Sequence, residues 1–367
     1  MTNESNADVI PVSVLTGFLG AGKTTLLNAL LADPAMAGTA VIINEFGEVG
    51  IDHLLVETAT DFFIEMSSGC LCCTIRGDLV DALVRLLEKR DAGEIMRFDR
   101  IVIETTGLAD PAPVIHVLMA DQRLLRHLRL DGVITVLDAV NAAATLDAHF
   151  EAVKQVAVAD RLVLAKTDLA DAAAVLELKQ RLATLNPTAP VLDAARGEAR
   201  PPQLFNAGLY DPTTKQADVV KWLSAEAYAA PHDHHHHHDV NRHDESIRAY
   251  CLTTEAPIGG TSFSLFLELL NAQYGRDLLR MKGIVKLAEE PDHPLVVHAV
   301  QNLFHPPVRL EAWPDDDHRT RLVFITRNVS REKVESLLSA FTDPLTGGGA
   351  SFADETLSLH RPGGLLS

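Results

Sequence analysis

Cysteine is scarce in this chain of 367 residues, which has four cysteines in all, three of them within positions 70–73. Such spacing is a poor disulfide framework, because adjacent cysteines pair with each other only under strain. In a reducing compartment, clustered thiols more often bind a metal ion or carry out redox chemistry. The scarcity therefore argues against a disulfide-stapled secreted domain.

Long hydrophobic runs and an excess of positive charge are also missing. Every apolar run is broken before the roughly 20 residues that a membrane-spanning helix needs, and the N-terminal residues lack the pattern of a signal peptide. The 32 Lys and Arg residues face 50 Asp and Glu residues, a net charge of −18, whereas nucleic-acid binding draws on Lys and Arg. We expect a cytoplasmic protein with neither a membrane nor a nucleic acid as partner.

The length and the sequence pattern predict two domains. Up to residue 229, β-branched runs alternate with helical stretches, which predicts an α/β domain with a mostly parallel sheet covered by helices. Its predicted strands are 11–16, 40–44, 100–104, 132–137, 161–165 and 189–192, and its main helices are 23–32, 79–90 and 173–185.

A second domain is predicted after a histidine-rich linker at 230–245. Grouped strands with few helices in 246–342 predict a smaller α+β domain, and the Gly- and Ser-rich residues 343–367 read as a flexible tail. The predicted strands are 247–254, 281–287, 294–300, 308–313 and 321–326, with helices at 262–272 and 331–341.

The segment GFLGAGKT, from Gly17 to Thr24, follows an apolar strand and opens a helix, which is the context of a phosphate-binding P-loop. Its glycines, Gly20 and Gly22 among them, let backbone N–H groups converge on phosphates. Lys23 is predicted to contact the β- and γ-phosphates, and the Thr24 hydroxyl to bind Mg²⁺.

Two further motifs complete a nucleotide site. In IVIETTG, Glu104 ends an apolar strand and is predicted to hold Mg²⁺, while the N–H group of Gly107 would contact the γ-phosphate. In LVLAKTDL, Asp168 can accept two hydrogen bonds from guanine, and the stem of Lys166 can cover one face of the base. Ala165 stands where this motif usually has Asn, so the prediction favours GTP over ATP with weaker discrimination.

The segment SSGCLCC contains Cys70, Cys72 and Cys73, whose thiolates can project to one side of a turn. Soft sulfur ligands select Zn²⁺, Cu⁺ or, with other donors, Co²⁺. Three thiolates leave a tetrahedral ion one ligand short, which His116, water or a carboxylate such as Glu45 could supply. A redox switch and a cluster of small buried side chains are the alternatives.

Two further polar segments, one before the cysteines and one well after them, are candidate metal-binding regions. Residues 43–56, INEFGEVGIDHLLV, form either a nucleotide-sensing switch with metal-binding carboxylates, Glu45 among them, or a polar surface loop. Seven of the 16 histidines lie between His232 and His243, which predicts a metal-collecting arm rather than an inert linker or a purification tag.

In order and spacing, GFLGAGKTTLLN, NEFGEVGID, SSGCLCC, ETTG and AKTD resemble the CobW-type GTPases, a family of P-loop metallochaperones, and the similarity extends past the linker to the CobW C-terminal domain. The resemblance implies a slow GTPase that binds Zn²⁺ or Co²⁺ at the CxCC motif and delivers it to a client protein. By position, Cys70, Cys72 and Cys73 would be the metal thiols, and Gly17, Gly20, Ala21, Gly22, Lys23, Thr24 and Thr25 would form the phosphate loop.

Three functional hypotheses remain at this point. The first is a metal-transfer GTPase with GTP, Mg²⁺ and Zn²⁺ as ligands, a client metalloprotein as partner and a homodimer as one arrangement left open. The second is a zinc buffer or sensor in which the nucleotide is structural. The third is a redox switch based on Cys72 and Cys73.

Overall fold

The computed structural model describes residues 9–44, 63–65, 74–205 and 246–342. These residues fall into two units, one within 9–205 and the other within 246–342. The predicted linker at 230–245 and the predicted tail at 343–367 lie outside the described residues, so the domain boundaries stay predictions.

The first unit contains a seven-stranded parallel sheet with the strand order β3-β2-β4-β1-β5-β6-β7. Its central strands are almost wholly buried, as expected for a parallel sheet with helices on both faces. The strands are β1 (Ile10–Thr16), β2 (Thr39–Asn44), β3 (Phe63–Glu65), β4 (Arg100–Thr105), β5 (Leu128–Asp138), β6 (Arg161–Ala165) and β7 (Val191–Asp193).

In the part of the first unit that the structure describes, six helices lie between these strands and a seventh follows β7. They are α1 (Lys23–Leu31), α2 (Thr74–Asp91), α3 (Ala112–Ala120), α4 (Ala142–Ala148), α5 (Phe150–Val158), α6 (Ala172–Leu185) and α7 (Pro201–Leu204). Local chemistry sets several helix starts: the Asp171 carboxylate accepts from the N–H groups of Ala173 and Ala174 and so caps α6.

Strand register brings the carboxyl ends of β1, β4 and β2 to one edge of the sheet. Leu15 near the end of β1 lies opposite Glu104 in β4, and Ile43 in β2 lies opposite Glu104 on the other side. The hydroxyl of Thr105 also donates to that of Thr16 at 2.8 Å, which ties β4 to β1 at this edge. In open α/β sheets, ligands bind at this edge.

The second unit is an antiparallel sheet with helices α8 (Gly260–Tyr274) and α9 (Arg331–Thr342) packed on one face. Phe263 and Phe266 of α8 and Val334 of α9 bury their side chains against Met281 and Phe324 of the sheet. The strands are β8 (Ile247–Thr254), β9 (Leu278–Val285), β10 (Leu295–Val300), β11 (Leu303–Phe304), β12 (Val308–Arg309) and β13 (Thr320–Arg327), with the path β11-β10-β9-β13-β8 and β12 beside β10.

The predicted fold class, a P-loop-type α/β domain followed by a smaller α+β domain, is confirmed. Among the predicted elements that differ in extent is the strand expected at 308–313, since β12 ends at Arg309. Arg309 pairs with Leu295, the first residue of β10, so residues 310–313 have no strand beside them. Of the helices that the structure describes, none combines the length and apolar character needed to cross a bilayer.

Candidate functional site

The loop between β1 and α1 has the backbone of a phosphate-binding loop. Gly17, Gly20 and Gly22 have φ angles of 146°, 74° and 97°, a region that favours glycine. A methyl group added at Gly17 would lie 2.3 Å from the carbonyl oxygen of Val136 in β5, so a side chain is excluded there. The N–H group of Ala21 donates to the Phe18 carbonyl at 3.1 Å, which closes the loop.

Three predicted site residues meet at the start of α1. The buried ammonium of Lys23 donates to the carbonyl of Gly17 at 3.0 Å and to that of Phe18 at 3.4 Å. Beside it, the Thr24 hydroxyl donates to Oε1 of Glu104 at 2.9 Å, and Glu104 is 5% exposed. Thr25 follows on the exposed side of the helix. A hydroxyl and a carboxylate this close, next to a phosphate loop, are hard oxygen donors that fit Mg²⁺.

Gly107 is buried in a turn directly after β4, although its neighbour Leu108 is exposed. The turn is closed by the N–H group of Ala109, which donates to the Thr106 carbonyl at 3.2 Å. A methyl group added at Gly107 would come within 2.6 Å of both the backbone nitrogen and the Cα atom of Leu19. The turn after β4 and the P-loop are therefore in backbone contact, which is possible only because residue 107 is glycine.

Lys166 joins the base-recognition motif to the P-loop. Its φ angle is 59°, and its ammonium donates to the Gly20 carbonyl at 2.9 Å and to Oδ2 of Asp138 at 2.8 Å. Asp168 follows in a short 3₁₀ turn and is exposed. The methyl side chain of Ala165 cannot form a hydrogen bond. It lies close to the P-loop, because a methyl group added at Gly22 would be 3.6 Å from the Cβ atom of Ala165.

Asp138 is a functional candidate that the sequence analysis missed. It ends β5, and its carboxylate accepts from Lys166, from the side chain of Asn141 at 2.9 Å and from the N–H group of Val140 at 2.9 Å. Burial opposes ionisation, but these hydrogen bonds outweigh it, so the pKa of Asp138 lies below its usual value. The only signal in the sequence was an acidic residue at the end of a strand.

Helix α5 contributes two further residues that were missed. The side-chain amide of Gln155 donates to the carbonyl of Gly107 at 3.3 Å and to that of Ala109 at 3.0 Å. The ammonium of Lys154 binds Oδ2 of Asp110 at 2.9 Å. No local motif marks either residue, because their partners lie more than 40 residues away in sequence.

A cavity of about 290 Å³ lies between the P-loop and helices α4 and α5. The side chains of Asp138, Asn141, Thr145, Gln155 and Lys166 line it together with apolar groups. At its margin, the ring of Phe18 in the P-loop stacks on that of His149, with centroids 4.5 Å apart.

The predicted metal thiols Cys70, Cys72 and Cys73, the tentative ligand Glu45 and the histidines of 232–243 lie outside the described residues. Within the ranges that the structure does describe, no group of three or more His, Cys, Asp or Glu side chains could hold a metal ion. The fourth cysteine, Cys251, is buried in β8, and burial raises its pKa to about 11. The thiol remains protonated at neutral pH and is therefore poorly suited to metal binding.

A parallel α/β sheet, a glycine-rich loop opening a helix, and a lysine, threonine and glutamate gathered there define the chain as a P-loop nucleotide-binding protein. The sequence model described as CobW/HypB/UreG, nucleotide-binding domain, matches residues 11–193, and the model described as Cobalamin synthesis protein cobW C-terminal domain matches residues 247–342. The chain belongs to the CobW/HypB/UreG family and carries the CobW C-terminal domain, which confirms the resemblance seen in the sequence.

Characterised relatives span both domains. The chain is 35% identical over 327 residues to the zinc chaperone YjiA of Escherichia coli, covering 89% of this chain and 97% of that protein. It is 31% identical over 362 residues to the zinc chaperone CobW of Pseudomonas aeruginosa, covering 90% of each. The crystal structure of the Zn(II)-bound YjiA GTPase from E. coli matches 91% of this chain and 99% of that chain, with a TM-score of 0.68 and 28% identity.

Proposed function

We propose that this protein is a GTP-hydrolysing metallochaperone that binds Zn²⁺ at its CxCC motif and delivers it to a client metalloprotein under nucleotide control. The observation that carries the proposal is the hydrogen bond of 2.9 Å between Thr24 and Glu104 at the mouth of the P-loop. It places two oxygen donors for a nucleotide-bound cation together at the start of α1 and near the end of β4. The names of the relatives, zinc chaperones and a GTPase, point in the same direction.

Each residue of the nucleotide site has a role in this proposal. The N–H groups of the loop from Gly17 to Thr25 surround the phosphates, and Lys23 turns its ammonium from the loop carbonyls to the β- and γ-phosphates. Thr24 and Glu104 hold Mg²⁺, which offsets the charge of the phosphates when it is bound. Asp168 accepts from the guanine edge, while Lys166 covers the base and keeps the base loop against Gly20.

The path of the chain supports coupling between nucleotide and metal. Glu65 ends β3 opposite Ile43 of β2, and Ile43 lies opposite Glu104 of β4. With strands spaced about 4.8 Å apart, the Cα atoms of Glu65 and Glu104 are about 10 Å apart. In the sequence, the segment SSGCLCC begins at Ser67, two residues after Glu65, so movement at the nucleotide edge has a short path along the chain to it.

The cargo and the partner follow from donor chemistry. Three thiolates suit Zn²⁺ and also accept Co²⁺ with a further oxygen or nitrogen ligand, a role we assign to Glu45, to His116 or to water. A site that is one protein ligand short of closure releases its ion more readily than a structural site. The partner is a client metalloprotein. The His-rich segment binds metal loosely through its imidazoles and passes it on to the thiols.

Turnover and metal content of three variants test the proposal. Lys23→Ala and Glu104→Gln are expected to lower GTP hydrolysis at least about a hundredfold, because each removes charge stabilisation from the phosphoryl transfer. Cys72→Ser is expected to retain nucleotide binding and to lose tight Zn²⁺ binding under anaerobic conditions. A matched control is Cys251→Ser, since Cys251 is buried far along the chain in β8.

The same variants separate the proposal from its alternatives. A zinc buffer would show negligible GTP hydrolysis with or without metal, and Lys23→Ala would leave its Zn²⁺ content unchanged in the presence of nucleotide. A redox switch would form a reversible disulfide under mild oxidant that Cys72→Ser abolishes. Either result would overturn metal transfer driven by GTP.

A further inference from the structure

The turn from Thr106 to Asp110 is bonded to helix α5 at three points. Two are the hydrogen bonds from the Gln155 amide to the carbonyls of Gly107 and Ala109, at 3.3 and 3.0 Å. The third is the ion pair of 2.9 Å between Lys154 and Asp110. Two consecutive residues of one helix therefore contact both halves of the turn that follows β4.

Gln155 is itself rigidly placed. Its side chain is 1% exposed, and its own backbone carbonyl accepts a hydrogen bond of 2.7 Å from the Thr135 hydroxyl in β5. Strand β5 pairs directly with β1, and Thr135 lies opposite Thr16, the last residue before the P-loop. The amide that binds the turn is thus fixed to the central strands that also carry the phosphate loop.

The turn needs such restraint because its key residue is glycine. Gly107 lacks the Cβ atom that narrows backbone torsions in other residues, so its peptide groups can rotate at low cost. It also lies against the backbone of Leu19, where a methyl group would come within 2.6 Å. A hydrogen bond to the Gly107 carbonyl and another to the Ala109 carbonyl limit this rotation on both sides of the turn.

We propose that Gln155 and Lys154 are positioning residues that orient the turn at Gly107 toward the γ-phosphate and thereby set the preference of this protein for GTP over GDP. The inference rests on the proposed function and on the prediction from the sequence that the N–H group of Gly107 contacts the γ-phosphate. Neither role requires contact with the nucleotide: Gln155, which also lines the cavity beside the P-loop, acts through the two carbonyls, and Lys154 acts through Asp110. Asp110 in turn accepts from the N–H group of Ala112 at the start of α3, so the position of the turn is also linked to that helix.

The test compares the affinity of the full-length protein for a non-hydrolysable GTP analogue with its affinity for GDP. Gln155→Met keeps the volume and removes the amide; it is expected to lower the ratio of the two affinities by about fivefold to tenfold, the effect of a lost neutral hydrogen bond. GDP lacks the γ-phosphate, so its affinity should change little. A role confined to folding would weaken both nucleotides together and leave the ratio unchanged.

Asn186→Ala is the matched control. Asn186 is also a buried amide bonded to α5, but it donates to the carbonyls of Val156, Ala157 and Ala159 at the carboxyl end of the helix and not to those of Gly107 and Ala109. Its loss should lower stability while leaving the ratio at the wild-type value. An unchanged ratio in Gln155→Met, or an equal fall in Asn186→Ala, would overturn the inference.

Lys154→Met gives a second test that does not depend on a buried substitution. Lys154 is part-exposed, and its loss is expected to lower the same ratio by about twofold to threefold, in keeping with a surface ion pair. Lys179→Met on α6 is its control. If Gln155→Met does not fold, an unchanged ratio in Lys154→Met contradicts the inference. A wild-type protein that binds both nucleotides but does not hydrolyse GTP would contradict the proposed function alone, and failure to bind either nucleotide would overturn both.

Discussion

An ion pair between Lys166 and Asp138 connects the base motif to the neighbouring strand β5. Motifs of this kind usually carry Asn where this chain has Ala165, and Asn supplies a side-chain amide that braces the base loop. Here Lys166 binds the Gly20 carbonyl, and Asp138 holds the same ammonium at 2.8 Å. A carboxylate from β5 therefore takes part in placing the base loop on the P-loop.

Asp138→Asn is expected to raise the Kd of both GTP and GDP about fivefold, roughly 1 kcal/mol, because the ion pair with Lys166 becomes a hydrogen bond to an uncharged amide. Calorimetric titration of each nucleotide measures the change. Asp147→Asn is the control, since Asp147 pairs with Arg181 of α6 rather than with Lys166. Equal effects of the two substitutions would contradict a role for Asp138 in nucleotide binding.

The same pair has a defined pH dependence. Because the folded-state pKa of Asp138 is lowered from 3.8, its stabilising contribution is present above that value and is lost as the pH falls through the lower folded-state pKa. The difference in affinity between wild type and Asp138→Asn should therefore be constant from about pH 5 to about pH 8. A difference that fades within this range would show that another group dominates.

The thiol of Cys251 should not react with alkylating reagents in the folded protein. Burial raises its pKa to about 11, so almost no thiolate forms near pH 8. Iodoacetamide at about pH 8, followed by peptide mass spectrometry, should leave Cys251 unmodified in the native chain and modify it after unfolding. Labelling of native Cys251 at the rate of a free thiol would show that β8 is accessible, and labelling of Cys251→Ser gives the reference for the other three thiols.

The P-loop and the turn after β4 are packed backbone to backbone at Gly107 and Leu19. Such close packing leaves no room for a side chain at Gly107. Gly107→Ala places a methyl group 2.6 Å from backbone atoms of Leu19, which cannot move aside as a flexible side chain would. We expect GTP hydrolysis to fall at least about tenfold and stability to fall by about 1–3 kcal/mol. Steady-state turnover and urea unfolding measure the two effects.

Gly77→Ala is the control for that substitution. Gly77 lies inside α2 with nothing within 4 Å of an added methyl group, so Ala should stabilise the protein by about 0.5–1 kcal/mol through helix propensity. Normal hydrolysis by Gly107→Ala would show that the two loops do not need this contact.

The loop before β13 is held by a charged network in the second unit. Arg321 is 3% exposed, and its guanidinium donates to both carboxylate oxygens of Asp315 at 2.8 Å and to the Asp317 carbonyl at 2.9 Å. Asp315→Ala is expected to destabilise the unit by about 2–3 kcal/mol, since it leaves a buried cation with less compensation. Thermal unfolding should show the loss, and Asp315→Ala combined with Arg321→Met should recover part of it.

The sequence predicted β1, the P-loop and α1 well because their signals are local: an apolar run, spaced glycines and a following amphipathic stretch. It underestimated β5, which was expected at 132–137 and runs from Leu128 to Asp138. Asp131 interrupts the apolar pattern, yet its carboxylate is buried and accepts from Ser13 at 3.0 Å in the neighbouring strand. Such a partner, 118 residues away, is invisible to a local pattern.

The candidate site also contains residues that a local motif predicts and residues that only tertiary contacts identify. Motif residues such as Lys23, Thr24 and Glu104 could be named from the sequence because phosphate and Mg²⁺ chemistry fixes their types and spacing. Asp138, Lys154 and Gln155 could not, because they act through hydrogen bonds to residues that are distant in sequence. Side chains that position a motif follow from tertiary packing rather than from a pattern.

The two units of the molecule differ in which residues of the proposed function they contain. The first contains the P-loop, the turn after β4 and the base motif, together with β3 and α2, which precede and follow the thiol segment in the sequence. The second is a sheet and two helices with a separate core. The family matches cover 11–193 and 247–342, so both units are expected to serve the same function. Nucleotide control of metal binding is the claim on which that function depends.

Zn²⁺ affinity of the full chain in two nucleotide states tests this claim most directly. Anaerobic competition titration with a chromogenic chelator should give Kd values for the GTP-analogue and GDP forms that differ at least about tenfold, about 1.4 kcal/mol of coupling. The difference should vanish in Lys23→Ala. Equal Zn²⁺ affinities in the two wild-type forms would contradict nucleotide-controlled metal transfer.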